Sequence, residues 1–115
     1  MISLENGNFA DASGNTYANG SIVFTLSREC TVTASPFGVV AAQPVGFQLD
    51  ADGDILPNSG SSAQIFSNAE LTPDDSYYLV TIYDQNGARM LSLLTQFTQG
   101  AGSTVNLSDL VPYNP

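Results

Sequence analysis

The sequence predicts an all-β domain, an antiparallel β-sandwich of immunoglobulin-like or transthyretin-like type with about seven strands. Short runs alternate apolar and polar residues, the period of a half-buried strand. Turn residues punctuate those runs. Asp-x-x-Gly recurs three times at the end of an apolar run, as Asp11-Ala12-Ser13-Gly14, Asp50-Ala51-Asp52-Gly53 and Asp84-Gln85-Asn86-Gly87. Asp at the first position of such a corner can bond its own downstream main chain, and Gly at the fourth takes a left-handed conformation without a Cβ clash. The flanks of the three corners do not otherwise match, so they are a reused turn and not a sequence repeat.

Taken in chain order, Met1 to Asn6 reads as a short N-terminal arm. Ser21 to Ser27 then sets Ile22, Phe24 and Leu26 on one face. Val45 to Leu49 repeats the pattern with Val45, Phe47 and Leu49 inward. Ser76 to Tyr83 is apolar on both faces, with Tyr78, Val80 and Ile82 on one and Tyr77, Leu79, Thr81 and Tyr83 on the other, which predicts a central strand. Arg89 to Thr98 returns as its hairpin partner, and a last short strand around Thr104 to Leu107 precedes a Pro-bounded tail. Helix is confined to one turn near Ser67 to Leu71, where Ser67 or Asn68 can cap and Pro73 stops it. Ser59 to Ser62 and Gln99 to Ser103 read as flexible loops within one domain spanning residues 1–115. A chain of 115 residues is long enough to bury a core without metal or disulfide support.

Composition excludes more than it assigns. Only 11% of residues are charged, against roughly 25% in an average globular protein. The surface is therefore built from Ser, Thr, Asn and Gln, as in extracellular or virion β-proteins. The formal charge is −9, with Arg28 and Arg89 the only basic side chains and no histidine. Nucleic acid is an unsuitable partner, because phosphate binding needs clustered Lys or Arg. An anionic membrane surface is disfavoured for the same reason. Neither a signal peptide nor a transmembrane run is expected. Cys30 stands alone, which predicts a small core residue and no thiolate metal site.

Catalysis and cofactors are not expected. Without histidine or lysine the usual general bases of a nucleophilic triad are gone. Asp74 and Asp75 are adjacent on a Pro-started turn and point apart into water, whereas glycoside cleavage needs two carboxyls facing a cleft. Asp50, Asp52 and Asp54 resemble a calcium loop only superficially. Gly53 precedes Asp54, and the twelfth position is Ser61 where a bidentate Glu would close the loop. A hairpin corner carrying exposed carboxylates accounts for them. Tyr77, Tyr78, Tyr83, Tyr113 and Tyr17 fit strand packing better than sugar stacking.

One segment breaks the corner-and-strand grammar. Ser35-Pro36-Phe37-Gly38-Val39-Val40-Ala41-Ala42-Gln43-Pro44 is bracketed by proline and almost wholly apolar, yet does not alternate cleanly. Two accounts fit it: a buried edge strand entering the sandwich, or an apolar loop that docks on another protein.

The opening Phe9-Ala10-Asp11-Ala12-Ser13-Gly14-Asn15-Thr16-Tyr17-Ala18-Asn19-Gly20, followed by the strand Ser21 to Ser27, resembles small β-sandwich domains of tailed-phage virion structural proteins. Phe47-x-Leu49-Asp50-Ala51-Asp52-Gly53, Asn68 to Pro73, and Tyr77-Tyr78-x-Val80-Thr81-Ile82-Tyr83-Asp84-x-Asn86-Gly87 are similar to the same domains, so the likeness covers residues 9 to 112. It implies a non-enzymatic protein located in the virion and assembled in the host cytoplasm. There such domains decorate the capsid, cementing major capsid protein or other virion subunits in many copies, or sit on a tail fibre as receptor- or carbohydrate-binding modules. A short free-standing chain fits decoration better than a fibre. The expected protein contacts are Phe37, Val39 and Val40 in the Pro-bracketed segment, with Ile2 and Leu4 in the N-terminal arm.

Overall fold

The computed structural model describes residues 1–57 and 62–115. Ser59, Gly60 and Ser61, read above as part of a loop, lie outside the described residues. The fold is all-β and sandwich-like, and its strands form three sheets. Ten strands are present among the described residues. The sequence predicts about seven. The excess consists of strands of two to four residues, too short to show an alternation.

The largest sheet joins β5 (Pro44–Gln48), β2 (Ser21–Leu26), β8 (Tyr78–Tyr83) and β9 (Arg89–Thr95) in that order, all antiparallel. Placing β2 and β8 centrally follows from their residues. Ile22, Phe24 and Leu26 oppose Ile82, Val80 and Tyr78 in register, and all six side chains are buried. Phe24 anchors the layer. Its ring lies 6.1 Å from Phe47, 6.3 Å from Tyr78 and 6.2 Å from Phe97, at tilted or edge-on angles that aromatic quadrupoles favour. β5 departs from expectation at one end: Phe47 is buried, but Val45, on the same face and opposite Phe24, is 44% exposed, because β5 is an edge strand and Val45 lines an open groove there.

A second sheet runs β10 (Thr104–Asn106), β1 (Ile2–Glu5), β6 (Ala63–Ile65). The expected N-terminal arm is thus the middle strand of a sheet. β1 pairs parallel to β10 and antiparallel to β6. Ile2 and Leu4, with Ala63, Ile65 and Val105, turn inward and join the same core as the first sheet. A third, smaller sheet, β4 (Val39–Val40), β3 (Cys30–Val32), β7 (Leu71–Thr72), buries Cys30 and Leu71.

Two single turns of 3-10 helix are present among the described residues. Asn68–Glu70 falls where Ser67 and Pro73 predict it, and Glu70 accepts a hydrogen bond from the Ser67 N–H at 2.8 Å. Asn106 caps the other, Leu107–Asp109, by accepting from the Ser108 N–H at 2.9 Å. That turn is missed in the sequence because Asn-Leu-Ser-Asp continues a strand without any apolar helical period. No helix among the described residues is long and apolar enough to cross a membrane.

Candidate docking surface

The Pro-bracketed segment leaves the core at Cys30 and re-enters it at Phe47. After β3 the chain turns, held by the Val32 N–H on the Gly38 carbonyl and the Thr33 N–H on the Glu70 carbonyl, each at 2.9 Å. It returns as β4, with Cys30 opposite Val40 and Thr31 opposite Val39. Among the described residues β4 has β3 as its one strand neighbour, which leaves its outer edge open there. The segment is an edge strand, as one account had it, but it is not buried.

Strand alternation sorts its side chains. Val40 turns toward the body of the protein and is half-buried against the core. Val39, its neighbour, points outward and is 76% exposed, and Phe37, in the turn before it, is 75% exposed. Ile2 and Leu4 do not join them. They are 0% and 4% exposed on the inner face of β1, because pairing on both sides turned the expected arm into a core strand. The N-terminal part of the expected interface is corrected accordingly: these two side chains lie in the core and hold the fold, not at the surface.

Beside β4 lies a groove of about 240 Å³ with Met1, Val40, Ala41, Val45, Phe66 and Tyr78 in its walls. Its lining is mostly apolar. The Tyr78 hydroxyl donates to the Phe66 carbonyl oxygen at 2.6 Å, and burial pushes its pKa well above the ordinary tyrosine value. The ring therefore contributes a neutral, fully bonded wall rather than a titrating group. Glu70 ends the neighbouring 3-10 turn. Burial raises its carboxyl, but the Met1 ammonium at 2.9 Å and the Ser67 N–H outweigh that and hold the group below its usual range.

The acidic corner takes a different form. Carboxylate oxygens of Asp50, Asp52 and Asp54 lie within 4.8 Å of one another. Asp50 Oδ1 accepts from the Asp52 N–H at 2.8 Å and the Asp54 N–H at 3.0 Å, and Asp54 Oδ1 accepts from the Asn8 N–H at 2.8 Å. Two of the three carboxylates are thus spent on main-chain donors. Asp74 and Asp75 are exposed on the turn before β8. Tyr77 and Tyr113 pack on each other at a tilt of 37° with centroids 5.5 Å apart, the ring-on-ring packing expected of them. Cys30 is buried, and its Sγ approaches the Arg28 carbonyl at 3.4 Å. No family model, curated protein or solved structure matches this chain, so its own surfaces carry the functional reading.

Proposed function

We propose that this chain is a non-enzymatic structural protein of a tailed-phage virion, one that decorates the head lattice in many copies by docking β4 and its flanking turn on a capsid subunit. The observation that carries this is the exposure of Phe37 and Val39 on a free sheet edge next to an apolar groove. Large apolar side chains held out in water by a turn that main-chain bonds from Val32 and Thr33 fix contribute nothing to the isolated fold, and such patches mark interfaces. A free edge adds main-chain donors and acceptors to the same surface. Each contact is small, and repetition over a lattice multiplies its effect. The absence of histidine and lysine from the sequence supports a role through shape rather than turnover.

The test is assembly. Phe37→Asp places a carboxylate at the centre of the docking turn, so the variant should fold but no longer co-purify with particles, measured by quantitative mass spectrometry of banded virions. Absence of the wild-type chain from those particles, or undiminished incorporation of the variant, would sink the proposal.

A further inference from the structure

A cleft of about 460 Å³ opens on a part of the surface that shares no residue with the apolar edge. One wall is the chain continuing past β9, including Gln96 and Thr98. The other is β10, and Glu5 and Asp109 also line it. We propose that this cleft takes an extended, basic peptide segment, which pairs its main chain with the free edge of β10 and sets Lys or Arg side chains against Glu5 and Asp109.

The edge is open for a definite reason. Among the described residues β10 ends its sheet, with β1 as its one neighbour. The Ser3 N–H donates to the Ser103 carbonyl at 2.9 Å, and the parallel register sets Ser3 opposite Thr104 and Glu5 opposite Asn106. In such a ladder Ser103 and Val105 turn their main-chain groups to β1, and both groups of Thr104 and the N–H of Asn106 turn the other way, while the Asn106 carbonyl, at the N-cap, opens the 3-10 turn. Across the cleft, Phe97 spends its N–H on Asn68 Oδ1 and its carbonyl on the Asn68 N–H, each at 2.9 Å. Among the described residues, the main-chain groups of Gln96 and Thr98 make no main-chain bond. A strand-like ligand would find donors and acceptors at strand spacing, the arrangement that β-augmentation uses.

Charge selects the occupant. Glu5 and Asp109 enter no ion pair among the described residues, where Met1 and Glu70 form the one bridge. Arg28 and Arg89 line other parts of the surface, and neither lines the cleft. A cationic segment is attracted on both counts, by these two carboxylates and by the net charge of −9. A second copy of this chain brings the same −9 and is repelled. A glycan would find amides and carboxylates, but the one aromatic ring in the lining, Phe97, is 2% exposed and offers no face for stacking. The volume lies within the roughly 300–1,000 Å³ of ordinary ligand clefts.

The experiment uses the whole chain and a capped octapeptide of alternating Lys and Thr, followed by NMR. Binding is expected to shift and protect the amides of Thr104 and Asn106 and to leave those of β4 unchanged. Glu5→Gln with Asp109→Asn should weaken it about tenfold, roughly the loss of one good charge-assisted contact, while Glu29→Gln should not. The same peptide N-methylated at alternate residues should lose the protection. Equal binding of the N-methylated peptide, protection elsewhere than β10, or no binding would overturn the proposal. So would shifts at these amides with neutral oligosaccharides alone, or a dimer sealed by β10 in sedimentation.

Discussion

At Asp11, Asp50 and Asp84 the chain repeats one set of contacts, whereas between Ser35 and Pro44 it repeats nothing. In each corner the Gly N–H bonds the Asp carbonyl, at 3.0, 3.1 and 3.0 Å, and the Asp N–H bonds the carbonyl four residues on, at 3.0, 2.9 and 3.0 Å. The Asp Oδ1 then accepts from the second and fourth amides that follow it, all within 2.8–3.0 Å. Gly14, Gly53 and Gly87 sit at φ of 82°, 78° and 82°. Each corner thus closes on itself through its Asp and Gly. The Pro-bracketed segment instead holds its turn with few main-chain bonds and leaves large apolar side chains in water. One kind of loop is finished when the chain folds, and the other is not.

The sharpest way to break this comparison is to disturb a corner that also touches the core. A Cβ on Gly53 would lie 2.7 Å from the Phe9 carbonyl oxygen, while one on Gly87 meets nothing within 4 Å. Gly53→Ala therefore combines a clash with the cost of a left-handed alanine and should lose about 2 to 3 kcal/mol, against about 1 for Gly87→Ala. Calorimetric melting of the two variants checks this. Equal losses would mean that the corners differ only in position and not in packing.

The next effect belongs to the carboxylate itself. Asp50→Ala removes the acceptor of two amides and should lower stability by about 1 to 2 kcal/mol in urea unfolding, whereas Asp50→Asn keeps the oxygen and should cost less than half of that. In Asp11, the amides of Asn15 and Ser13 favour the charged form and draw the pKa below its usual value. Glu70 shares the sign for its own reasons. A carboxyl lowered in the folded state contributes stability that is complete above its unfolded value, roughly 4.3, and is lost as the pH falls through the folded one. The gap in melting temperature between the native chain and Glu70→Gln should hence be widest at neutral pH and close on acidification below pH ~4. A gap that stays constant would show that the lost packing, and not the charge, matters at this position.

How much of this was legible follows the same division. The corners were readable because Asp and Gly act locally, through groups two to four residues away. The long strands were readable because Ile22-x-Phe24-x-Leu26 and Tyr78-x-Val80-x-Ile82 carry their period in the chain itself. β1 was not read as a strand, although Ile2 and Leu4 alternate, because four residues become a strand only by pairing with β6 and β10, some 60 and 100 residues away in sequence. The same non-local pairing creates the cleft beside β10, which no motif announces. For the segment around Phe37, composition identified an anomaly, but burial or exposure depended on which layers faced it.

The smallest effect on the fold is expected where the proposed function places the largest effect on assembly. Phe37 is 75% exposed, and its turn is held by main-chain bonds from Val32 and Thr33 that do not involve its side chain. Phe37→Asp should then change the unfolding free energy by no more than about 0.5 kcal/mol, as for other surface positions outside special features. Binding of a hydrophobic dye to the folded protein should fall as well, since an apolar ring has left the surface. The corresponding change at Phe24, with 0% exposure and three aromatic neighbours, should prevent folding altogether. If Phe37→Asp instead lost several kcal/mol, the ring would be packing on the fold in solution, and the two kinds of loop would differ in composition but not in purpose.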